Sequence, residues 1–235
     1  MRLVSICKNL IVPKGRKPRR ILGGAFGGLV MNLDLATQTQ LYVGTFEREV
    51  QPWLQRFSSG ADTAIDVGMA EGEYSLFFLR QPGLRSVLGF EPFGTSRAAI
   101  NENLSLNGLS KDSRLRLSSA FVGDSPGPET ETLDSLLPQI GKPVVIKVDV
   151  DGGEMAVLRG ADKLIAGPAT RWIIETHTPV LERECIERLK SAGYKVRIIP
   201  KAWWRILLPE MRTTAHRPEN HNQWLVAARP EDLFI

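Results

Sequence analysis

From residue 63 onward, short apolar runs alternate with stretches of helical periodicity, and this alternation restricts the possible folds more than any other feature of the chain. The runs are Thr63 to Val67, Ser86 to Phe90, Arg114 to Ser118, Val144 to Val148, Arg171 to Thr176, Tyr194 to Ile199 and Gln223 to Ala227. Strands separated by helices are the mark of repeated βαβ units. The expectation is therefore an α/β fold: a doubly wound, mostly parallel sheet of seven strands with helices on both faces. At 235 residues and 43% hydrophobic content, the chain can bury the core that such a sheet needs. One globular domain is expected, with residues 61–235 forming the main fold and residues 1–60 a basic arm and lead-in.

In the lead-in, Leu29 to Leu35 alternates apolar and polar residues, which predicts a strand, paired with Arg20 to Leu22 through Gly23, Gly24, Gly27 and Gly28. Val50, Trp53, Leu54 and Phe57 recur at helical spacing, and Glu47 and Glu49 suit a first turn, so a helix is predicted over Thr45 to Phe57. Asp124 to Pro128 reads as a loop, and Lys201 to Asn222 as a long connection of mixed character.

The net charge of +4 raises the question of a nucleic-acid partner. Seven basic residues, Arg2, Lys8, Lys14, Arg16, Lys17, Arg19 and Arg20, lie in the first 20 positions without any acid. Removing them leaves 23 basic against 26 acidic residues, so positions 21–235 carry −3. The basicity belongs to the arm, which reads first as a solvated tail and second as a contact for phosphate or an anionic membrane surface. A nucleic-acid partner is not favoured by the main body. Two distant cysteines, Cys7 and Cys185, exclude a disulfide framework or zinc cluster, and Cys185 sits among Val180, Leu181, Ile186 and Leu189 as a small core residue. The opening MRLVSICKNLIV lacks a small-residue cleavage pattern, and no apolar run spans a bilayer, so a cytoplasmic location is expected.

Four strand ends carry polar chemistry. The first run passes Asp66 and enters Gly68-Met69-Ala70-Glu71-Gly72 before a helix opening Glu73-Tyr74-Ser75-Leu76. Glycines there let a ligand approach the backbone, beside free N–H groups of the new helix. The turn lacks the second glycine of GxGxxG and follows an acid, which suits a cationic ligand better than a pyrophosphate. About 20 residues on, Glu91 and Pro92 end the second run, where a carboxylate can accept both hydroxyls of a ribose. Lys147 and Asp149 share one face at the end of a buried strand and must pair with each other or serve a ligand, followed by Gly152, Gly153 and Glu154. Glu175 and His177 end the next run, and an imidazole there can accept a hydroxyl proton. In open α/β sheets all four ends face one ligand-binding edge.

Taken together, IDVGMAEGEYSLFF, FEPFGTSRAAINENLSLNGL, TLDSLL, IKVDVDGGEMAVLRGADKLI and IIETH, in that order over residues 65–177, resemble the FkbM family of S-adenosylmethionine (SAM) dependent methyltransferases. The resemblance implies a class I, Rossmann-like methyltransferase fold and O-methylation of a sugar, glycan or secondary-metabolite hydroxyl. It implies a SAM site formed by Asp66, Gly68, Ala70, Gly72 and Ser75, with Glu91 and Pro92 at the ribose. The acceptor side would be lined by Lys147, Asp149, Glu154, Glu175 and His177, with His177 the first candidate base, Asp149 the second, and Glu154 and Glu175 as orienting groups. The family's turn reads close to DVGANIG; here Ala70 stands in place of the asparagine and Glu71 in place of an apolar residue. Asp149, Glu154 and Glu175 offer an alternative role as Mg²⁺ ligands. Two rival functions remain: an RNA or protein methyltransferase, suggested by the arm and by Trp203, Trp204 and Arg205, and a non-catalytic interaction protein on the same fold.

Overall fold

The computed structural model describes residues 10–167, 169–202, 221 and 223–232. Elements run in the order β1 (Lys17–Arg20), β2 (Val30–Leu33), α1 (Leu35–Val43), α2 (Gln51–Ser58), β3 (Thr63–Val67), α3 (Glu73–Leu79), β4 (Ser86–Phe90), α4 (Gly94–Leu106) and β5 (Leu115–Ser118). There follow β6 (Phe121–Val122), β7 (Thr130–Glu131), a 3-10 segment (Leu133–Gln139), β8 (Val144–Val148), α5 (Glu154–Arg159), α6 (Asp162–Ala166), β9 (Thr170–Thr176), α7 (Pro179–Ser191), β10 (Lys195–Ile199) and β11 (Gln223–Ala228). The main sheet has seven strands in the order β10-β11-β9-β8-β3-β4-β5. Its pairs are parallel from β9 to β5, whereas β11 is antiparallel to both β9 and β10. This is the doubly wound α/β sheet expected from the alternation of runs.

Side-chain parity explains the two layers. Val145 of β8 packs with Leu54 and Phe57 of α2, Phe78 of α3 and Ile100 and Leu104 of α4 on one face. Val144, Ile146 and Val148 point the other way, against Leu136, Val157 and Leu158, Leu164 and Ile165 of α6, and Cys185 and Leu189 of α7. A strand buried on both faces cannot alternate polar with apolar, which is why these runs are continuous. Cys185 is a buried free thiol, pushed up to about 12 by burial, so it is a core residue with no nucleophilic character. Cys7, Trp203, Trp204 and Arg205 lie outside the described residues. Among the described residues, no helix is long and apolar enough to cross a membrane.

The lead-in differs from expectation in three places. The hairpin is shifted: Lys17↔Leu33 through Arg20↔Val30 pair, so the end of the basic arm is a strand and not a tail. The strand predicted through Leu35 stops at Leu33, because the Asp34 carboxylate accepts from Ala36 N at 2.9 Å and caps α1. The helix predicted from Thr45 begins only at Gln51: Gly44 ends α1 with φ 81°, and Glu47 takes φ 47°, outside helical space. Glu47 is instead buried, accepting from Tyr74 Oη at 2.5 Å. The apolar spacing of Val50, Trp53, Leu54 and Phe57 thus belongs to a shorter helix, and residues 35–50 are left to cover the end of the sheet.

Candidate active site

At the carboxyl edge of the parallel strands lies a cavity of about 670 Å³, a volume within the range of small-molecule sites. Gly68, Ala70 and Glu71 of the glycine turn, Glu73, Glu91 with Pro92 and Phe93, Asp149, Asp151 and Glu175 contribute to its wall. Phe46, Glu47, Thr37 and Gln38 close it from the lead-in. Among the described residues, seven that line it are acidic and none is basic.

The glycine turn hangs on both neighbouring strands. Gly68 N and Met69 N donate to Phe90 O at 3.0 and 3.2 Å, and Asp149 N donates to Val67 O at 3.0 Å. Gly68 has φ 81°, and a Cβ there would lie 1.9 Å from Asp149 O, so both conformation and space demand glycine. Gly72 (φ 91°) precedes α3. Ala70 adopts φ 51°, a left-handed conformation in which asparagine is the easier residue; an alanine bears a cost of about 1 kcal/mol. Glu71 is held by the lead-in: Arg16 donates from Nη1 and Nη2 to its two carboxylate oxygens at 2.8 and 2.7 Å, and Gln38 Nε2 donates at 2.9 Å. The arm therefore braces the turn, a contact that its reading as a tail did not anticipate.

Beneath the turn, Asp66 and Lys147 are register partners on β3 and β8. Lys147 Nζ donates to Gly68 O at 2.5 Å, lies 3.3 Å from Asp66 Oδ1 and 3.9 Å from Asp149 Oδ2, and sits 4.9 Å from the Tyr74 ring centroid. Burial disfavours the ammonium, but Asp66 and Asp149 outweigh it and raise the pKa above the ordinary lysine value. Asp66 Oδ2 accepts from Ser75 Oγ at 2.8 Å. Asp66, Ser75 and Lys147, all named as site residues from the sequence, do not line the cavity and support the turn; for Lys147 this is the pairing alternative, with Asp66 nearer than Asp149, and Gly72 is likewise absent from the wall.

Glu91 is 4% exposed. Its Oε2 accepts from Ala70 N at 2.9 Å and its Oε1 from Phe93 N at 3.0 Å, which orients the carboxylate while each oxygen keeps an unused lone pair.

On the far side, Asp149, Glu154, Glu175 and His177 converge, since β8 and β9 are adjacent and parallel. His177 Nδ1 bonds the Glu154 carboxylate, and Nε2 lies 3.4 Å from Asp149, 3.2 Å from Asp151 and 3.5 Å from Glu175. Burial works against the charged ring, but Glu154, Glu175 and Asp149 prevail and push its pKa up to about 10. A ring charged in this way would have to release a proton before it could serve as a base. Asp149 is pushed up to about 7, by burial and then by the neighbouring Glu175. In the alternative Mg²⁺ set of Asp149, Glu154 and Glu175, one oxygen of Glu154 is taken up by His177 and by Gly152 N (3.1 Å), and Glu154 does not line the cavity. Asp151 was not anticipated, because it stands beyond the strand on an exposed turn, with φ 45°; the Asp-Gly-Gly sequence was the available signal.

A family model described as the Methyltransferase FkbM domain matches residues 94–196, which include Asp149, Asp151, Glu154, Glu175 and His177. Among solved structures, the chain is similar to methyltransferase FkbM from Methylobacillus flagellatus KT, at 18% identity and a TM-score of 0.55, covering 72% of this chain and 44% of that one. The chain thus spans less than half the length of that protein. An rRNA methylase from Streptococcus thermophilus gives a TM-score of 0.52 at 12% identity, covering 77% of this chain and 95% of that one. The precorrin 8w decarboxylase from Methanobacterium thermoautotrophicum gives 0.51 at 19%, covering 77% and 89%. At such identities these likenesses establish the class I methyltransferase fold alone. No curated protein matches the sequence. The ordered motifs over residues 65–177, the seven-stranded sheet and the match over residues 94–196 agree on a class I methyltransferase fold in which residues 94–196 match the FkbM domain.

Proposed function

We propose that the protein transfers a methyl group from SAM to a hydroxyl oxygen of a small molecule or glycan. The observation that carries this reading is the wall of seven acidic residues without one basic residue, among those described, at the ligand-binding edge of the sheet. Such a wall attracts a ligand with sulfonium and ammonium charges and repels a pyrophosphate. SAM, when bound, supplies an electrophilic methyl group and leaves as a neutral thioether.

The chain's own residues would divide the work. Glu91, held by Ala70 N and Phe93 N, presents its free lone pairs to the ribose hydroxyls. Backbone groups of Gly68 and Ala70 border the same wall. Asp149 and Glu175 both line the cavity, and on this reading they would hold the acceptor hydroxyl and receive its proton. Alignment of the acceptor oxygen supplies much of the rate gain in such a displacement. A nucleic-acid acceptor is not favoured, because phosphates would meet the exposed carboxylate of Asp151 at the same mouth.

A thermal-shift titration tests the reading. SAM and its demethylated product at about 100 times Kd are expected to stabilise the protein by about 2.7 kcal/mol, roughly 5–10 °C for a domain of this size, while NAD does nothing. Stabilisation by NAD with no response to SAM or its product would overturn it. For Glu91, the alanine variant is expected to weaken SAM binding by roughly 2–3 kcal/mol in calorimetry, since ribose hydroxyls are left unpaired. Unchanged affinity would reduce Glu91 to a brace for the turn.

A further inference from the structure

His177 is held in a way that general-base chemistry does not need. Its ring is 8% exposed, and Nδ1 is fixed by the carboxylate of Glu154, which is itself fully buried at the start of α5. An acid bound at Nδ1 keeps hydrogen there, so that a dication arriving at Nε2 displaces the second proton of the imidazolium and meets a lone pair. That Nε2 is buried, has no hydrogen-bond partner among the described residues, and is aimed between the carboxylates of Asp149 and Asp151. One ligand atom from each of Asp149, Asp151 and His177 lies within 4.8 Å of the other two. The Nε2 distances of 3.4 and 3.2 Å to these oxygens match the edges of a coordination polyhedron: ligands about 2.1 Å from a central ion stand about 3.0 Å apart in an octahedron and about 3.4 Å in a tetrahedron.

We propose that Asp149, Asp151 and His177 bind one first-row transition-metal dication, with Glu154 as the positioning residue behind His177. An imidazole nitrogen among two carboxylates suits Mn²⁺, Fe²⁺, Co²⁺ or Zn²⁺ better than the all-oxygen preference of Mg²⁺ or Ca²⁺. The arrangement of carboxylate, histidine and metal is the usual way a ligating ring is oriented. Three protein ligands leave positions open toward the cavity, where Asp149 and Asp151 both form wall. The site stands on geometry; its use rests on the methyltransferase reading, in which the ion would favour ionisation of the acceptor hydroxyl, whose proton passes to Glu175 as the new carbon–oxygen bond replaces the carbon–sulfur bond.

The test is a titration of the metal-stripped full chain with Mn²⁺, followed by electron paramagnetic resonance in the absence of SAM, so that failure here is separate from failure to bind SAM. One Mn²⁺ per chain is expected, displaced by Zn²⁺ and not by Mg²⁺ at equal concentration. Asp151→Ala, at a largely exposed side chain, should weaken binding at least tenfold, with circular dichroism unchanged. Glu154→Gln should weaken it about 10–100-fold, with circular dichroism unchanged. Absence of stoichiometric Mn²⁺, equal displacement by Mg²⁺, or unaltered affinity in both variants would overturn the proposal and leave His177 as an imidazolium among carboxylates.

Discussion

Gly68→Ala is expected to abolish measurable SAM binding, a loss of at least about 100-fold, and to destabilise the protein by more than about 3 kcal/mol. Two separate costs meet at this position. The left-handed φ of 81° carries roughly 1–2 kcal/mol for any residue with a Cβ. The added carbon would also stand 1.9 Å from Asp149 O and 2.9 Å from Asp149 C, both backbone atoms tied into the sheet by the bond from Asp149 N to Val67 O. Neither can swing aside as a side chain would, so the turn itself must leave its place against β8. Gly60 supplies the control, with φ 69° and nothing within 4 Å of where a Cβ would stand, so Gly60→Ala should show the conformational cost alone. Calorimetry for SAM and urea denaturation for stability measure the two effects. A Gly68→Ala protein that binds SAM like the wild type would mean that the cofactor does not lie on this turn.

Lys147→Met is expected to cost about 3–5 kcal/mol of stability. The ammonium is 2% exposed and faces a carboxylate, Asp66, with no exposure at all. Removing it leaves that acid buried opposite an apolar chain, held only by the Ser75 hydroxyl, and frees the carbonyl of Gly68 as well. The double variant Lys147→Met with Asp66→Asn removes both charges and should recover much of the loss, because a buried charge without its partner is costlier than no pair. Urea denaturation of the two singles and the double gives the coupling energy directly. A loss below about 1 kcal/mol in Lys147→Met would show that the buried pair does not hold the turn in place.

The sheet was legible because strands buried on both faces, such as Val144–Val148, write themselves as unbroken apolar runs, and the four polar strand ends followed from them. Bounds were displaced by at most one residue at Leu115, Thr170, Lys195 and Ala228. The lead-in was not legible in the same way. Its strand and helix boundaries depend on a cap at Asp34 and a reversal at Glu47, and a buried glutamate bonded to Tyr74 leaves no periodic trace. At the site, sequence order identified which acids share an edge but not their depth. That Asp66 and Lys147 lie under the turn depends on register, and that His177 turns its Nδ1 to Glu154 depends on where α5 begins. Asp151 escaped notice because its exposed position resembles any turn acid.

The placement of β11 bears on how the protein is made. This strand, late in the sequence, lies between β9 and β10, and it carries Trp224 and Leu225 into the two halves of the core. During synthesis the strands that surround the cavity emerge first, yet β9 keeps an unpaired, apolar edge until residues 223–228 have left the ribosome. The nascent chain therefore spends the time needed to add some 50 residues after β9, a few seconds at about 5–20 residues per second, with an open sheet edge exposed to other chains. Closure is antiparallel on both sides of β11, so once it arrives it completes the sheet by sliding between two waiting neighbours. Holdase chaperones that cover apolar edges would act on this interval, and the yield of soluble protein should respond to their supply more than to any change at the cavity.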